Sequence, residues 1–333
     1  MGSYIRQAIF GVVAGNLISA ILVAQSPPDP LGVEPTPERK ALGRRLFFDE
    51  ILSEDGTVSC ATCHQPNKGW ADGLPKAVGI RGSVGPLHTP SILNAAYSGP
   101  QFWNGRTEGL VTQALLPLEN RLEMGGPGNE AVAVRRLRAD PAYVRDFALA
   151  FGQPPSALLM ATAIACFETG VVTRNVPVEQ RRNGKMVLTD EGEIGYNIFV
   201  KANCVRCHVP PFYTDSDFHN NGASFGFGDI GRASVTRQNN DRRKFKVPSL
   251  IGVSDTAPYM HDGSMKTLDE VLLHYNTGGI YANQDIAEWK KGKLPNASVD
   301  SNTEIQPLGL NVHQLRYLKV FLLEGLKPEK MPR

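Results

Sequence analysis

Cysteine is scarce, with five in 333 residues. Disulfide-stapled scaffolds are much shorter than this chain, so that class is set aside. Neither sign of charge prevails. Lys and Arg number 35 against 33 Asp and Glu, a net +2, which gives no ground for a nucleic-acid partner or an anionic membrane surface. Past the first two dozen residues no run is long and apolar enough to span a bilayer. No set of alternating strands stands out either, and the fold class read from the sequence is all-α. The length allows two domains.

Four of the five cysteines fall in two matching runs. They are Cys60-Ala61-Thr62-Cys63-His64 and Cys204-Val205-Arg206-Cys207-His208. Each is C-x-x-C-H, the attachment signal of a c-type haem, with the cysteines as thioether donors and the histidine as proximal iron ligand. The competing readings are zinc, a redox dithiol and a bridge between the pairs. Zinc needs a second thiol pair near each run, and neither half has one. A dithiol does not require the following histidine, which both runs carry. Cys166, in an apolar helical stretch, reads as a small buried hydrophobe.

Arg6 followed by an apolar run from Ala8 to Ala24 has the form of a secretory signal, with cleavage after Ala24. Leu22 stands where cleavage prefers a small residue, and an uncleaved membrane anchor is the alternative. Either way the mature chain is expected outside the cytoplasm, in the periplasm, with membrane contact only if the segment stays. Residues 25–35 form a proline-rich leader.

Thr36-Pro37-Glu38 opens a helix holding Gly43, Leu46 and Phe47, which leads to the first motif. Thr189-Asp190-Glu191 opens another with Gly195, Ile198 and Phe199, leading to the second. The repeated Gly-x-x-apolar-Phe suggests an internal duplication of two cytochrome c-like haem units. Their expected bounds are 36–178 and 184–333, with the linker near residues 175–183. Further helices are expected over 110–118, 130–137, 155–171 and 267–275, and a long loop over 212–245. A closing helix at 311–326 carries Leu315, Leu318, Phe321 and Leu322 on one face. It could also pack on the N-terminal domain.

Between the motifs run Gln101-Phe102-Trp103-Asn104-Gly105-Arg106, then Gln113, Pro117, Glu123 and Met124. Later come Phe245-Lys246-Val247-Pro248-Ser249-Leu250 and Thr256-Ala257-Pro258-Tyr259-Met260-His261-Asp262-Gly263. With both haem motifs in order, the chain resembles the bacterial dihaem cytochrome c peroxidases, and within them the MauG-like branch, over roughly residues 36–326. The resemblance implies that the His64 haem is the peroxidatic one and the His208 haem relays and stores electrons. It implies Trp103 between the haems and Gln113 and Glu123 as the distal pair. A carboxylate can move a proton between peroxide oxygens, and an amide can orient peroxide without titrating.

Two departures from the family's peroxidases outside that branch point to the branch. Where those carry a distal histidine this chain has Ile80, which cannot ligate iron. Where they place a methionine opposite the second proximal histidine, Tyr275 stands here, with His274 and Met265 as alternative ligands. A phenolate favours oxidised iron and a thioether favours ferrous iron. Family members also bind calcium between the domains. Carbonyls matching Thr256 and Pro258 would serve, but His88 replaces an asparagine, and imidazole is a poor calcium ligand.

The function implied is peroxide-driven formation of a high-valent dihaem state that oxidises Trp or Tyr residues of a partner protein. The first alternative is hydrogen peroxide detoxification with electrons from a small cytochrome or cupredoxin. The second is a dihaem electron carrier without catalysis, against which an open distal face with Gln113 and Glu123 argues.

Overall fold

The computed structural model describes residues 33–185, 188–223, 230–279 and 303–332. The expected signal or anchor at 1–24 and most of the 25–35 leader lie outside the described residues. Among the described residues no helix is long and apolar enough to cross a membrane.

The molecule is largely helical. Helix α1 (Pro37–Phe48) starts where Thr36 accepts from the Arg39 N–H, with Pro37 in the first turn. The first motif is itself a short helix, α2 (Cys60–Cys63). Helices α3 (Leu110–Leu115), α4 (Asn129–Ala139), α5 (Pro141–Phe151) and α6 (Ala157–Glu168) follow. The stretch expected as a linker contains α7 (Pro177–Arg182). Helix α8 (Asp190–Lys201) is capped by Thr189, which accepts from the Gly192 N–H at 3.0 Å.

The expected 212–245 loop is more structured than its composition suggests. It contains a short antiparallel ribbon of β1 (Phe218–His219) and β2 (Phe245–Lys246), and a helical turn, α9 (Ala233–Thr236). The ribbon is also the departure from all-α. Two residues per strand are too few to show alternation. Helix α10 (Leu268–Asn276) begins at a capping box of Thr267 and Glu270. The closing segment is α11 (Val312–Val320) plus a π-helical turn at Phe321–Gly325. It packs on α8 and α10, in its own half. The tail beyond it reaches the first half instead, where the Trp70 indole N–H donates to the Pro332 carbonyl at 3.1 Å.

A close helix crossing at a glycine occurs in each half. Helix α1 crosses α6, and α8 crosses α11. A Cβ on Gly43 would lie 1.8 Å from the Ala163 carbonyl oxygen, and one on Gly195 would lie 2.0 Å from that of Tyr317. Only glycine permits either approach. Four residues on, Phe47 meets Phe167 with ring centroids 5.1 Å apart at 54°, and Phe199 meets Phe321 at 5.2 Å and 53°. Each pair seals the helix crossing beside one C-x-x-C-H run.

Candidate active site

All five cysteines are unbridged. Burial pushes the Cys60 thiol up to about 12 and those of Cys63 and Cys204 up to about 11, which keeps them as thiols rather than thiolates at neutral pH. That disfavours the redox-dithiol reading, which works through a thiolate.

The histidines behave as preset ligands. The His64 Nδ1 lies 3.1 Å from the Trp70 carbonyl, and the His208 Nδ1 lies 3.1 Å from the Tyr213 carbonyl. A carbonyl only accepts, so Nδ1 carries the proton in both rings. Burial, the largest influence, lowers both pKa values and keeps the rings neutral. Nε2 is then left as a bare donor, the arrangement that metal-ligating imidazoles use.

Beside the first motif lies a cavity of about 590 Å³ lined by Cys60, Cys63 and His64 on one side. This lies within the range of about 300–1,000 Å³ typical of cofactor pockets. Its other walls include Gln113, Asn120, Glu123, Arg106 and Trp103, and from the second half Phe212 and Lys246. Preset imidazoles, paired thiols and this cavity suit a haem in donor chemistry and in space.

The cavity gathers the expected distal pair. Gln113 stands on α3 and lines the cavity, and among the described residues no hydrogen bond occupies its amide. Glu123 follows a turn in which its N–H donates to the Asn120 carbonyl at 2.9 Å. Asn120 Nδ2 in turn donates to Glu123 Oε1 at 2.6 Å. Burial raises the Glu123 pKa, against the lowering pull of Arg106 and Asn120. Asn120 and Arg106 were not singled out from the sequence as site residues, although Asn-x-x-Glu was a readable signal.

Trp103 joins the halves. Its indole N–H donates to the His88 carbonyl at 2.8 Å, and its own carbonyl accepts from the Lys246 N–H at 2.8 Å. Ile80 is 1% exposed and does not line the cavity. Ile80 is therefore turned into the core.

At the second motif, Tyr275 is buried in the neighbourhood of Cys204 and Cys207. Burial raises its pKa, and Asn221, donating from Nδ2 to the Tyr275 oxygen at 3.3 Å, opposes this. His274 is fully buried, and its Nε2 is 2.7 Å from the Asn221 carbonyl. Nε2 thus donates to backbone, while Nδ1 is buried with no hydrogen-bond partner among the described residues, so the ring keeps a bare nitrogen as His64 and His208 do. Met265 is buried beside the Tyr259–Met265 bridge. Asn221 had no signal in the sequence, standing 54 residues before Tyr275.

Thr256, Pro258 and His88 share a wall of the cavity, and the His88 Nδ1 is 2.7 Å from the Leu74 carbonyl. Its remaining nitrogen does not suit calcium.

A family profile described as di-haem cytochrome c peroxidase matches residues 37–186. The methylamine utilization protein MauG of Methylorubrum extorquens is 37% identical over 314 residues, covering 92% of this chain and 82% of that protein. The cytochrome c peroxidase Ccp of Escherichia coli is 34% identical over 270 residues, covering 78% of this chain and 58% of that protein. The crystal structure of a MauG-like protein associated with microbial copper homeostasis superposes with a TM-score of 0.80 at 31% identity. The match covers 90% of this chain and 91% of that one.

Proposed function

This chain belongs to the dihaem cytochrome c peroxidase family, within its MauG-like branch, and from that premise we propose that it oxidises aromatic residues of a partner protein at the expense of hydrogen peroxide. Membership makes it an oxidoreductase that takes peroxide and uses two haems. The finer reading places those haems on Cys60, Cys63 and His64, and on Cys204, Cys207, His208 and Tyr275, as covalent c-type groups. Bound haem supplies iron that accepts oxidising equivalents from peroxide and holds them.

The chain's own residues do the rest. Gln113 orients peroxide with its amide. Asn120 fixes Glu123 Oε1, leaving Oε2 as the atom that takes a proton from one peroxide oxygen and returns it to the other. The raised pKa of Glu123 brings it nearer the working range of such a group. Trp103, held to His88 on one side and Lys246 on the other, is the indole that shares charge between the halves.

The observation that carries partner oxidation is the arrangement at Tyr275. Its oxygen is buried in the neighbourhood of Cys204 and Cys207 and accepts from Asn221, whose carbonyl holds His274 through Nε2. An anionic oxygen ligand favours oxidised iron and suits storing an oxidising equivalent. The alternative is peroxide removal with electrons from a small cytochrome or cupredoxin.

The matched crossings at Gly43 and Gly195, and the matched phenylalanine pairs, support a duplicated pair of haem units over 36–178 and 184–333. Haem attachment of this kind and the leader-like N-terminus support a periplasmic setting.

The test is a paired assay of the holoprotein. A tryptophan-bearing secreted protein encoded beside it is weighed by mass spectrometry with and without peroxide. Peroxide turnover with a reduced small cytochrome is measured in parallel. A peroxide-dependent mass change on an aromatic residue supports the proposal. Fast cytochrome-driven turnover with an unmodified partner selects the detoxifying reading.

A further inference from the structure

Lys246 occupies an odd position for a cation. It lines the cavity that also holds His64, Gln113 and Trp103, as does Ser98. Its hydrogen bond is to the Ser98 hydroxyl, at 2.8 Å. Among the described residues no carboxylate comes within ion-pair distance of it, although Glu123 and Glu168 line the same cavity. An ammonium withdrawn from water without a counter-charge is costly, and such a group is kept where an anion joins it. Burial lowers its pKa to about 8, as expected for a cation whose partner is missing.

The surroundings are built rather than incidental. Ser98 sits in a loop gathered by the buried Gln101 amide, whose Nε2 donates to the carbonyls of Ala95, Ser98 and Gly99 at 3.2, 2.8 and 2.9 Å. From the other half, Lys246 is held in β2, and its backbone N–H donates to the Trp103 carbonyl at 2.8 Å. One residue thus presents a cation to the cavity and fixes the tryptophan.

We propose that the Lys246 ammonium, steadied by Ser98, is the counter-ion of a haem propionate, and that Lys246 is thereby a positioning residue tying the seat of that haem to Trp103. The inference rests on the family reading of two haems. The ligand chemistry is a carboxylate, and haem propionates are the carboxylates that reading brings to this cavity. An unpaired propionate beside a haem stabilises the ferric form, and a cation on it offsets that charge.

The experiment uses the full-length holoprotein, with Lys246→Met, Lys246→Gln and Lys246→Arg. A pyridine haemochrome count of two haems per wild-type chain checks the family reading by itself. A lower count overturns that reading and this proposal with it. Spectroelectrochemical titration then reads both potentials. Met and Gln should favour the ferric form of one haem about tenfold, a fall of about 59 mV for a one-electron couple. Arg should restore the wild-type value and the carboxylate band of the redox-difference infrared spectrum. Gln, which keeps a polar chain of similar length, serves if Met does not accumulate folded. Two attached haems with unmoved potentials in Met or Gln would overturn the proposal while leaving the family reading intact. So would an equal fall in Arg. Acetate added to the wild type separates the sources of carboxylate. An unchanged potential fits a site filled by the haem's own propionate, and an acetate-dependent shift overturns the assignment.

Discussion

The Ile80 N–H donates to the Glu123 carbonyl at 2.9 Å, while the Ile80 side chain is buried away from the cavity. The loop that holds Ile80 is a brace for the backbone at Glu123. Gly79 makes the brace possible. A Cβ there would fall 2.3 Å from the carbonyl oxygens of both Leu122 and Glu123.

Gly79→Ala should therefore push the loop off the Glu123 turn. Both obstructing atoms are backbone, so they yield only if the chain moves. Overpacking of this kind costs about 1–3 kcal/mol. A lowered melting temperature together with slower reaction with peroxide is the expected pair of results. An unchanged peroxide rate in a destabilised variant would show that the brace serves folding alone.

Glu123→Gln should leave both haems attached and slow the peroxide reaction by about two to four powers of ten. The pH profile carries the sharper information. Burial raises the Glu123 pKa, and the carboxylate must be ionised to accept a proton. The wild-type rate should therefore fall as pH drops through a value above the ordinary 4.5 for glutamate. Gln should lack that limb. Stopped-flow mixing across pH reads both, and a limb persisting in the variant would assign the proton to another group.

Much of this was legible locally. Thr36, Thr189 and Thr267 cap where their side chains suggest, and both C-x-x-C-H runs advertise their chemistry within five residues. The duplicated glycines were visible, but the carbonyls they approach lie 120 and 122 residues away and have no signature. Helix α5 was not anticipated although Asp140-Pro141 is a readable start, with Asp140 accepting from Ala142 and Tyr143. The direction in which Ile80 points, the tie from His274 to Asn221 and the isolation of Lys246 depend on which distant segment arrives at each side chain. No short-range pattern records that.

Glu168 closes the apolar helix α6 at 4% exposure and lines the cavity, where it bears on Cys60. Burial raises its pKa from 4.5 to about 8. The folded chain then holds a proton that the unfolded chain releases between those values. Its contribution to stability is full below pH 4.5 and is lost as pH rises to about 8, at up to about 1.4 kcal/mol per pH unit. Glu168→Gln should thus match the wild type near pH 4.5 and exceed it increasingly towards pH 8. Melting curves of the two holoproteins at several pH values test this, and parallel pH dependences would refute it.

Tyr275→Met and His274→Gln together decide which side chain serves the second haem. They are neighbours on α10, about a hundred degrees apart around the helix, so both cannot face one iron equally. The Tyr275 oxygen accepts from Asn221, and His274 gives its Nε2 to Asn221's carbonyl and keeps a bare, buried Nδ1. With a thioether in place of the phenolate, the reduction potential of that haem should rise. Partner modification should fall at least about tenfold, by analogy with the loss of other groups that act on oxidised states. Peroxide turnover with an artificial one-electron donor should largely survive, because the His64 side is untouched. His274→Gln keeps a buried amide able to donate to Asn221 and should preserve the low-spin ferric signal in electron paramagnetic resonance. If the signal changes in His274→Gln and the potential stays put in Tyr275→Met, the ligand is His274 and the case for partner oxidation loses its support.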